Sequence, residues 1–111
     1  MKHLKMTTSG KIPVKAAYCV VDSYEALAEN VGHILEEMHE MNTRTVVFMS
    51  RPEEYKEQWK ANKAVYRLLV ALSPSKVYCT GQRGIGLAVA SIAPMLGIDT
   101  EVVYNGSYKL A

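Results

Sequence analysis

Apolar residues fall along this chain in two patterns. Nearly unbroken runs occupy 45–49 (TVVFM) and 87–93 (LAVASIA), and a third short run, KVYCT, covers 76–80. Elsewhere the apolar positions recur every three or four residues, the spacing that keeps them on one face of a helix. Val14, Ala17, Tyr18, Val21, Tyr24 and Ala28 follow it, and Val31, Ile34, Leu35, Met38 and Met41 continue it. Tyr55, Trp59, Val65, Tyr66, Leu68, Leu69 and Leu72 follow it again.

These patterns predict an order of elements. Residues 1–9 read as a loop or frayed start. Gly10-Lys11-Ile12-Pro13 opens a first helix, because proline is tolerated in the first turn, where its missing N–H has no intrahelical partner. A bend near 30–32 separates it from a second helix. The run 45–49 is a short, central strand. Ser50-Arg51-Pro52-Glu53 starts the next helix with a serine cap, a proline and a glutamate three residues on. That helix ends near Ser73-Pro74 and buries Trp59 in the core or at its edge. A strand follows at 76–80. The run 87–93 has no polar face; the glycines before it favour a strand, with a buried helix as the alternative. A turn at 94–97, a strand at 101–104 and an Asn105-Gly106 turn complete the chain. The class is α/β, with helices on both faces of a small mixed sheet of about four strands.

At 111 residues, 49% apolar and 22% charged, the chain is expected to form one soluble domain, 1–111. No apolar run approaches the roughly 20 residues of a membrane helix, and no leader opens the chain, so no membrane partner is expected. Cys19 and Cys79 lack metal-type spacing, His33 and His39 read as surface residues, and no metal or cofactor is expected. So few cysteines fit a reducing cytoplasm without a disulfide. The net charge is only +2, but it is segregated. Lys2, Lys5, Lys11 and Lys15 occupy 1–15 without an acid, while 16–43 hold Asp22, Glu25, Glu29, Glu36, Glu37 and Glu40 without a Lys or Arg. Such a distribution orients a polyanion, or simply makes two unrelated solvated surfaces.

The candidate chemistry gathers at 76–94, where a strand enters a loop with Gly81, Gly84 and Gly86. Without a Cβ, such a loop lets backbone N–H groups approach a ligand closely. Cys79, Gln82 and Arg83 are its polar or reactive groups. Lys11 and Lys15 oppose the dipole of the helix expected there, which has a use if an anion is received. Both features are equally open to plainer readings: a connection carrying one arginine, and two surface lysines.

Several stretches in order resemble the archaeal and eukaryotic type of peptidyl-tRNA hydrolase. LKMTTSGKIPVKAAYCVVDSY (4–24) resembles the Leu-Lys-Met, Gly-Lys-Ile pattern that opens that family's first helix, with one extra residue before Gly10. CTGQRGI (79–85) has the spacing of its Asp-x-Gly-x-Thr-x-Ile loop, and TRTVVFM (43–49) stands in place of its second strand. SIAP (91–94) and GSYKLA (106–111) stand where the family has Ile-Gly-Pro and its Lys-Leu tail. The resemblance implies a mixed four-stranded sheet with flanking helices, a homodimer, and cofactor-free hydrolysis of the ester between a peptide and tRNA. Such cleavage needs an activated water, donors for the oxyanion and cations for the phosphates.

By that resemblance Lys11 keeps the family lysine, as phosphate clamp or oxyanion stabiliser. Lys15 replaces a glutamine and Tyr18 a histidine, and tyrosine is a poor base near neutral pH. Cys79 replaces the loop aspartate and Arg83 the loop threonine. A thiol beside Arg83 can have a lowered pKa, and the arginine's planar fork can grip phosphate. The implied catalytic set is Lys11, Tyr18, Cys79 and Arg83, with Lys5, Lys15, Gly81 and Gln82 on the substrate. The family's first strand has no counterpart ahead of Leu4, so either the N-terminus is incomplete or another segment or a partner chain fills the gap, and an uncovered edge would favour pairing with a second copy. Two alternatives stand beside this. Loss of the Asp, Thr and His fits a non-catalytic homologue that binds tRNA or a protein. KVYCTGQRG with RPEEY also suggests a rhodanese-like sulfurtransferase using Cys79, although its loop is one residue short.

Overall fold

The structure is a computed structural model that describes residues 4–7, 11–12, 15–20, 23–49, 58–80, 84–103 and 109–110. Of 4–7, 11–12, 24 and 109–110 only the backbone is described. The elements run β1 (Leu4–Thr7), β2 (Lys11–Ile12), β3 (Ala17–Val20), α1 (Tyr24–Glu40), β4 (Thr45–Met49), α2 (Gln58–Leu72), β5 (Lys76–Cys79), α3 (Ile85–Met95), β6 (Asp99–Val103) and β7 (Lys109–Leu110).

The expected α/β class holds, with a different sheet. Five strands pair in the order β1-β6-β5-β4-β3, and β2 pairs with β7. Every pairing is parallel, where a mixed sheet was expected. The strand expected to be missing from the edge is filled by β1, which lies beside β6 with Lys5 opposite Glu101. Its four residues, LKMT, do alternate apolar and polar, but so short a run among polar and basic neighbours read as part of a loop.

From β3 to β6 the chain steps strand by strand in one direction through α1, α2 and α3. Crossovers between parallel strands are right-handed, so steps in one direction place the helices on one face. The packing agrees. Ala17, Cys19, Val46, Phe48, Val77, Cys79 and Val102, alternate strand positions, form one cluster with apolar residues of all three helices. Helices on both faces, as expected from the sequence, are therefore corrected: among the described residues all three share a face. The other face carries Ala16, Val47 and Tyr78, packed with Tyr18 and Met49. β4 is buried on both faces, as a central strand should be.

The predicted first helix is the largest local correction. Residues 17–20 are strand β3, and the helix begins after Ser23, whose hydroxyl accepts from the Ala26 N–H at 3.2 Å. The near-continuous apolar run AAYCVV satisfies a period of two as readily as one of 3.6. No bend interrupts α1: Leu27, Ile34 and Met38 are buried along it, with Val31 packed against the same cluster. α2 buries Val65, Leu68, Leu69 and Leu72, as the sequence suggested, and Ala61 besides, but leaves Trp59 60% and Tyr66 50% exposed. The helix start read at Ser50 lies outside the described residues. The run 87–93 is not a strand but the middle of α3, whose Ala88, Val89, Ala90 and Ala93 are buried. A helix covered this completely needs no polar stripe, so its period is silent. It ends with Gly97 at φ +77° and the Ile98 N–H on the Ala93 carbonyl, a left-handed C-cap.

Candidate functional site

Because all strands are parallel, the carboxyl ends of β3, β4, β5 and β6 lie along one edge. In open α/β sheets this edge is where ligands bind. Here β5 ends at Cys79, and α3 begins at Ile85.

Gly84 caps α3 with φ +96° and ψ −132°, a conformation that essentially only glycine adopts. It is held there by a side chain from the neighbouring helix. The Gln58 amide donates from Nε2 to the Gly84 carbonyl at 2.7 Å, and its Oε1 accepts from the Gly84 N–H at 2.7 Å. Gln58 thereby ties the first turn of α2 to the start of α3. Neither first turn contains an acid, and no side chain caps α3. In contrast, α1 has Glu25 in its first turn and Ser23 as its cap. Sequence reasoning missed Gln58 because its role arises from topology: nothing local distinguishes it from any glutamine opening a helix.

The residues expected to form one cleft are distributed differently. Cys79 is fully buried in the helix-side cluster, 0% exposed. Tyr18 faces the opposite side of the sheet. Burial first, and the Glu37 carboxylate second, raise the Tyr18 pKa above its ordinary value. Its hydroxyl is buried without a hydrogen-bond partner among the described residues. Its backbone N–H donates to Glu37 Oε1 at 3.3 Å. Lys15 is exposed at the amino edge, where its carbonyl accepts from Thr43 Oγ1 at 3.1 Å. The row Ala17–Val46–Val77 puts Lys15 two positions before it and Cys79 two after. At about 3.3 Å per residue they stand roughly 13 Å apart along the strands. Tyr18, Cys79 and Lys15 therefore do not converge. Lys5 lies on β1 and Lys11 on β2 opposite Lys109, with side chains outside the described residues. Gly81, Gln82 and Arg83 also lie outside them.

A polar group that the sequence did not suggest occupies the face bearing Tyr18. Lys76 Nζ lies 5.0 Å from the centre of the Tyr78 ring and 3.9 Å from Asp99 Oδ2. The Tyr78 side chain hydrogen-bonds both Lys76 and Glu101. Burial alone would lower the Lys76 pKa, but Tyr78, Glu101 and Asp99 outweigh it and raise the value. Burial raises the Tyr78 pKa, Lys76 opposes, and Glu101 adds to the rise. Both groups keep their protons at neutral pH, so the cluster is a fixed hydrogen-bonding network.

Cys19 is buried on β3, and burial pushes its thiol up to about 12. Neither cysteine is in a disulfide. Among the described residues no cluster of three or more His, Cys, Asp or Glu side chains is arranged to hold a metal. No described helix is long and apolar enough to cross a membrane. Comparison with protein-family models, with curated proteins and with solved structures found no match.

Proposed function

We propose that this chain binds a phosphate-bearing ligand at the carboxyl edge of its parallel sheet, between β5 and the start of α3. The observation that carries the reading is Gly84, held by both hydrogen bonds of Gln58 in a glycine-only conformation at a helix start without side-chain cap or acid. Backbone N–H groups at such a start, backed by the helix dipole, favour an anion. The chemistry asked of the site is positioning and charge neutralisation, which backbone amides supply without a titratable side chain.

A tRNA is one ligand of this class, and cleavage of peptidyl-tRNA is what the resemblance implies. Binding is the better supported half of that reading. Ester cleavage by Tyr18 and Cys79 asks residues on opposite faces of a sheet to share one cleft, with Lys15 at the far edge. Sulfur transfer asks the fully buried Cys79 thiol to meet thiosulfate. A reducing cytoplasmic setting belongs to the proposal and is supported by two buried thiols outside any disulfide. A homodimer through an uncovered sheet edge has less support, since Glu37 already occupies the outward Tyr18 N–H of β3.

The test is a titration of isotope-labelled protein followed through backbone amide resonances. Inorganic phosphate, a nucleoside triphosphate and deacylated tRNA are added in turn at low salt. Shifts confined to residues 80–87 and the Gln58 side chain are expected, weakening as salt rises. No shift with any of the three overturns the proposal. Release of acyl groups from acylated tRNA above the uncatalysed rate, lost in Lys11→Ala, would return the reading to hydrolysis.

A further inference from the structure

The helical face of the domain carries two adjacent stripes of opposite charge. α1 contains Glu25, Glu29, Glu36, Glu37 and Glu40 and no Lys or Arg. α2 contains Lys60, Lys63 and Arg67 and no Asp or Glu. The charges are also placed together. At about 100° per residue, Glu25, Glu29, Glu36 and Glu40 fall within roughly 60° of one another, and so do Lys60, Lys63 and Arg67. All seven are exposed, opposite the buried Leu27, Ile34 and Met38 of α1 and Ala61, Val65 and Leu68 of α2. Among the described residues no ion pair joins the glutamates of α1 to Lys63 or Arg67.

Between the stripes runs a groove of about 310 Å³, floored by Ala28, Val31, Ala64 and Leu68 and rimmed by Glu25 and Arg67. Leu35 of α1 stands exposed on the flank that borders it, whereas Trp59, Tyr66 and Val70 lie on the far flank of α2, where Val70 lines a separate groove with Leu69 and Leu96. The groove thus has an apolar floor between charged rims, as the core and rim of a protein interface do.

We infer that this face pairs with the same face of a second copy about a two-fold axis parallel to α1 and α2 and lying between them. Both helices cross between parallel strands in the same sense, so they run parallel to each other. Rotation about that axis sets each copy's acidic α1 over the other's basic α2, and brings the two grooves together on the axis. A two-fold axis across the helices would instead set α1 on α1 and α2 on α2, acid on acid and base on base. Charge alone therefore selects one symmetric arrangement, in which each patch is complementary to itself. A polyanion is the poorer occupant, because the glutamates of α1 flank the cations along their whole length. Two helices about 25 Å long and about 9 Å apart give a flat footprint on the order of 500 Å² per copy, below the roughly 800 Å² of a standard interface, so the dimer is weak and exchanges readily.

Sedimentation analysis of the full chain from micromolar to millimolar concentration tests this, with circular dichroism to confirm folding of each variant. The wild type is expected to dimerise and to dissociate at least tenfold more readily in molar salt. Lys63→Glu with Arg67→Glu turns α2 from three positive charges to a net of one negative, and Glu29→Lys with Glu36→Lys cuts α1 from five negative charges to a net of one. Each double variant alone is expected to be monomeric, and an equimolar mixture is expected to recover a one-to-one heterodimer. A monomeric wild type at every concentration overturns the inference, as do double variants that still dimerise alone. Folded variants that fail to pair when mixed overturn it too. Tight binding of a single-stranded oligonucleotide by a monomeric wild type, abolished by Lys63→Glu with Arg67→Glu, would assign the basic stripe to a polyanion instead.

Discussion

Replacing Gln58 with alanine removes a clamp whose two ends have different fates. Gly84 is buried, so its N–H, now without Gln58 Oε1, is left without its partner away from water. The Gly84 carbonyl loses Gln58 Nε2 but keeps the Ala88 N–H at 3.0 Å. Desolvation of one orphaned donor costs about 1–3 kcal/mol, and loss of a second but replaceable bond about 0.5–1 kcal/mol. Alanine recovers a few tenths through its better helix propensity. The expected net loss is about 2–3 kcal/mol. With urea slopes of about 1–3 kcal/mol per molar for small proteins, that lowers the unfolding midpoint by about 1 M or more. Gln58→Glu separates the two ends. Its carboxylate still accepts from the Gly84 N–H and favours the start of α2, but it cannot donate to the carbonyl. Its second oxygen also faces the Gly84 carbonyl and Asn62 Oδ1, acceptors to which Nε2 donates, so it should cost at least as much as alanine. Urea unfolding followed by circular dichroism ranks the three proteins. An alanine or a glutamate variant within 0.5 kcal/mol of wild type would refute the clamp.

Gly84→Ala puts a Cβ on a backbone at φ +96°, and about 1–3 kcal/mol of strain should appear as a lower thermal midpoint. Cys19 gives a pH dependence of known sign. Its folded value of about 12 lies above the ordinary thiol value, so alkali ionises the unfolded chain first. Stability is therefore complete below about pH 8.5 and falls by up to about 1.4 kcal/mol per pH unit on the way to the folded value. Urea midpoints at rising pH should show this slope, and Cys19→Ala should lose it. Both thiols should react with a disulfide reagent at the rate of opening of the native state, since Cys19 is 2% and Cys79 0% exposed; rapid labelling of either would show the burial is wrong. Tyr78→Phe removes the hydroxyl shared by Lys76 and Glu101, and about 1 kcal/mol of stability should go with it in urea unfolding.

Particular residues show what the sequence could reveal. β4 was legible because five consecutive strand formers, TVVFM, stop at polar residues on both sides. The buried face of α2 was legible because Val65, Leu68, Leu69 and Leu72 share a helix with a polar opposite side. Where every position is apolar, period conveys nothing. AYCV (17–20) was assigned to a helix and is a strand, and LAVASIA was assigned to a strand and is a helix. The glycine-rich connection after β5, where the anion site is proposed, stood out in the sequence. Its organiser, Gln58, did not, since 26 residues separate it from Gly84 and only the α2–α3 packing brings them together. The helical reading of 17–20 also hid the parity of Tyr18 and Cys79, because facing is defined only once both lie on strands in register.

That parity has a chemical consequence. The helix-facing rows contain Ala17, Cys19, Val46, Phe48, Val77 and Cys79, all apolar or thiol and all at most 2% exposed. A thiol in such a row is a small core residue, and at Cys19 burial holds it in its protonated form. The titratable partners, Lys76, Tyr78, Asp99 and Glu101, occupy the other face, where alternation along β5 and β6 puts them. Stepwise crossovers in one direction thus sort the sheet into an inert face under three helices and a polar face away from them. Among the described residues neither face presents an exposed nucleophile at the carboxyl edge, where the end of β5, the glycine-only turn at Gly84 and the start of α3 lie. A site built from backbone amides binds an anion through fixed dipoles at any ordinary pH. It follows that ligand affinity there should be insensitive to replacement of Cys79 by a residue of equal bulk and sensitive to anything that lets Gly84 turn.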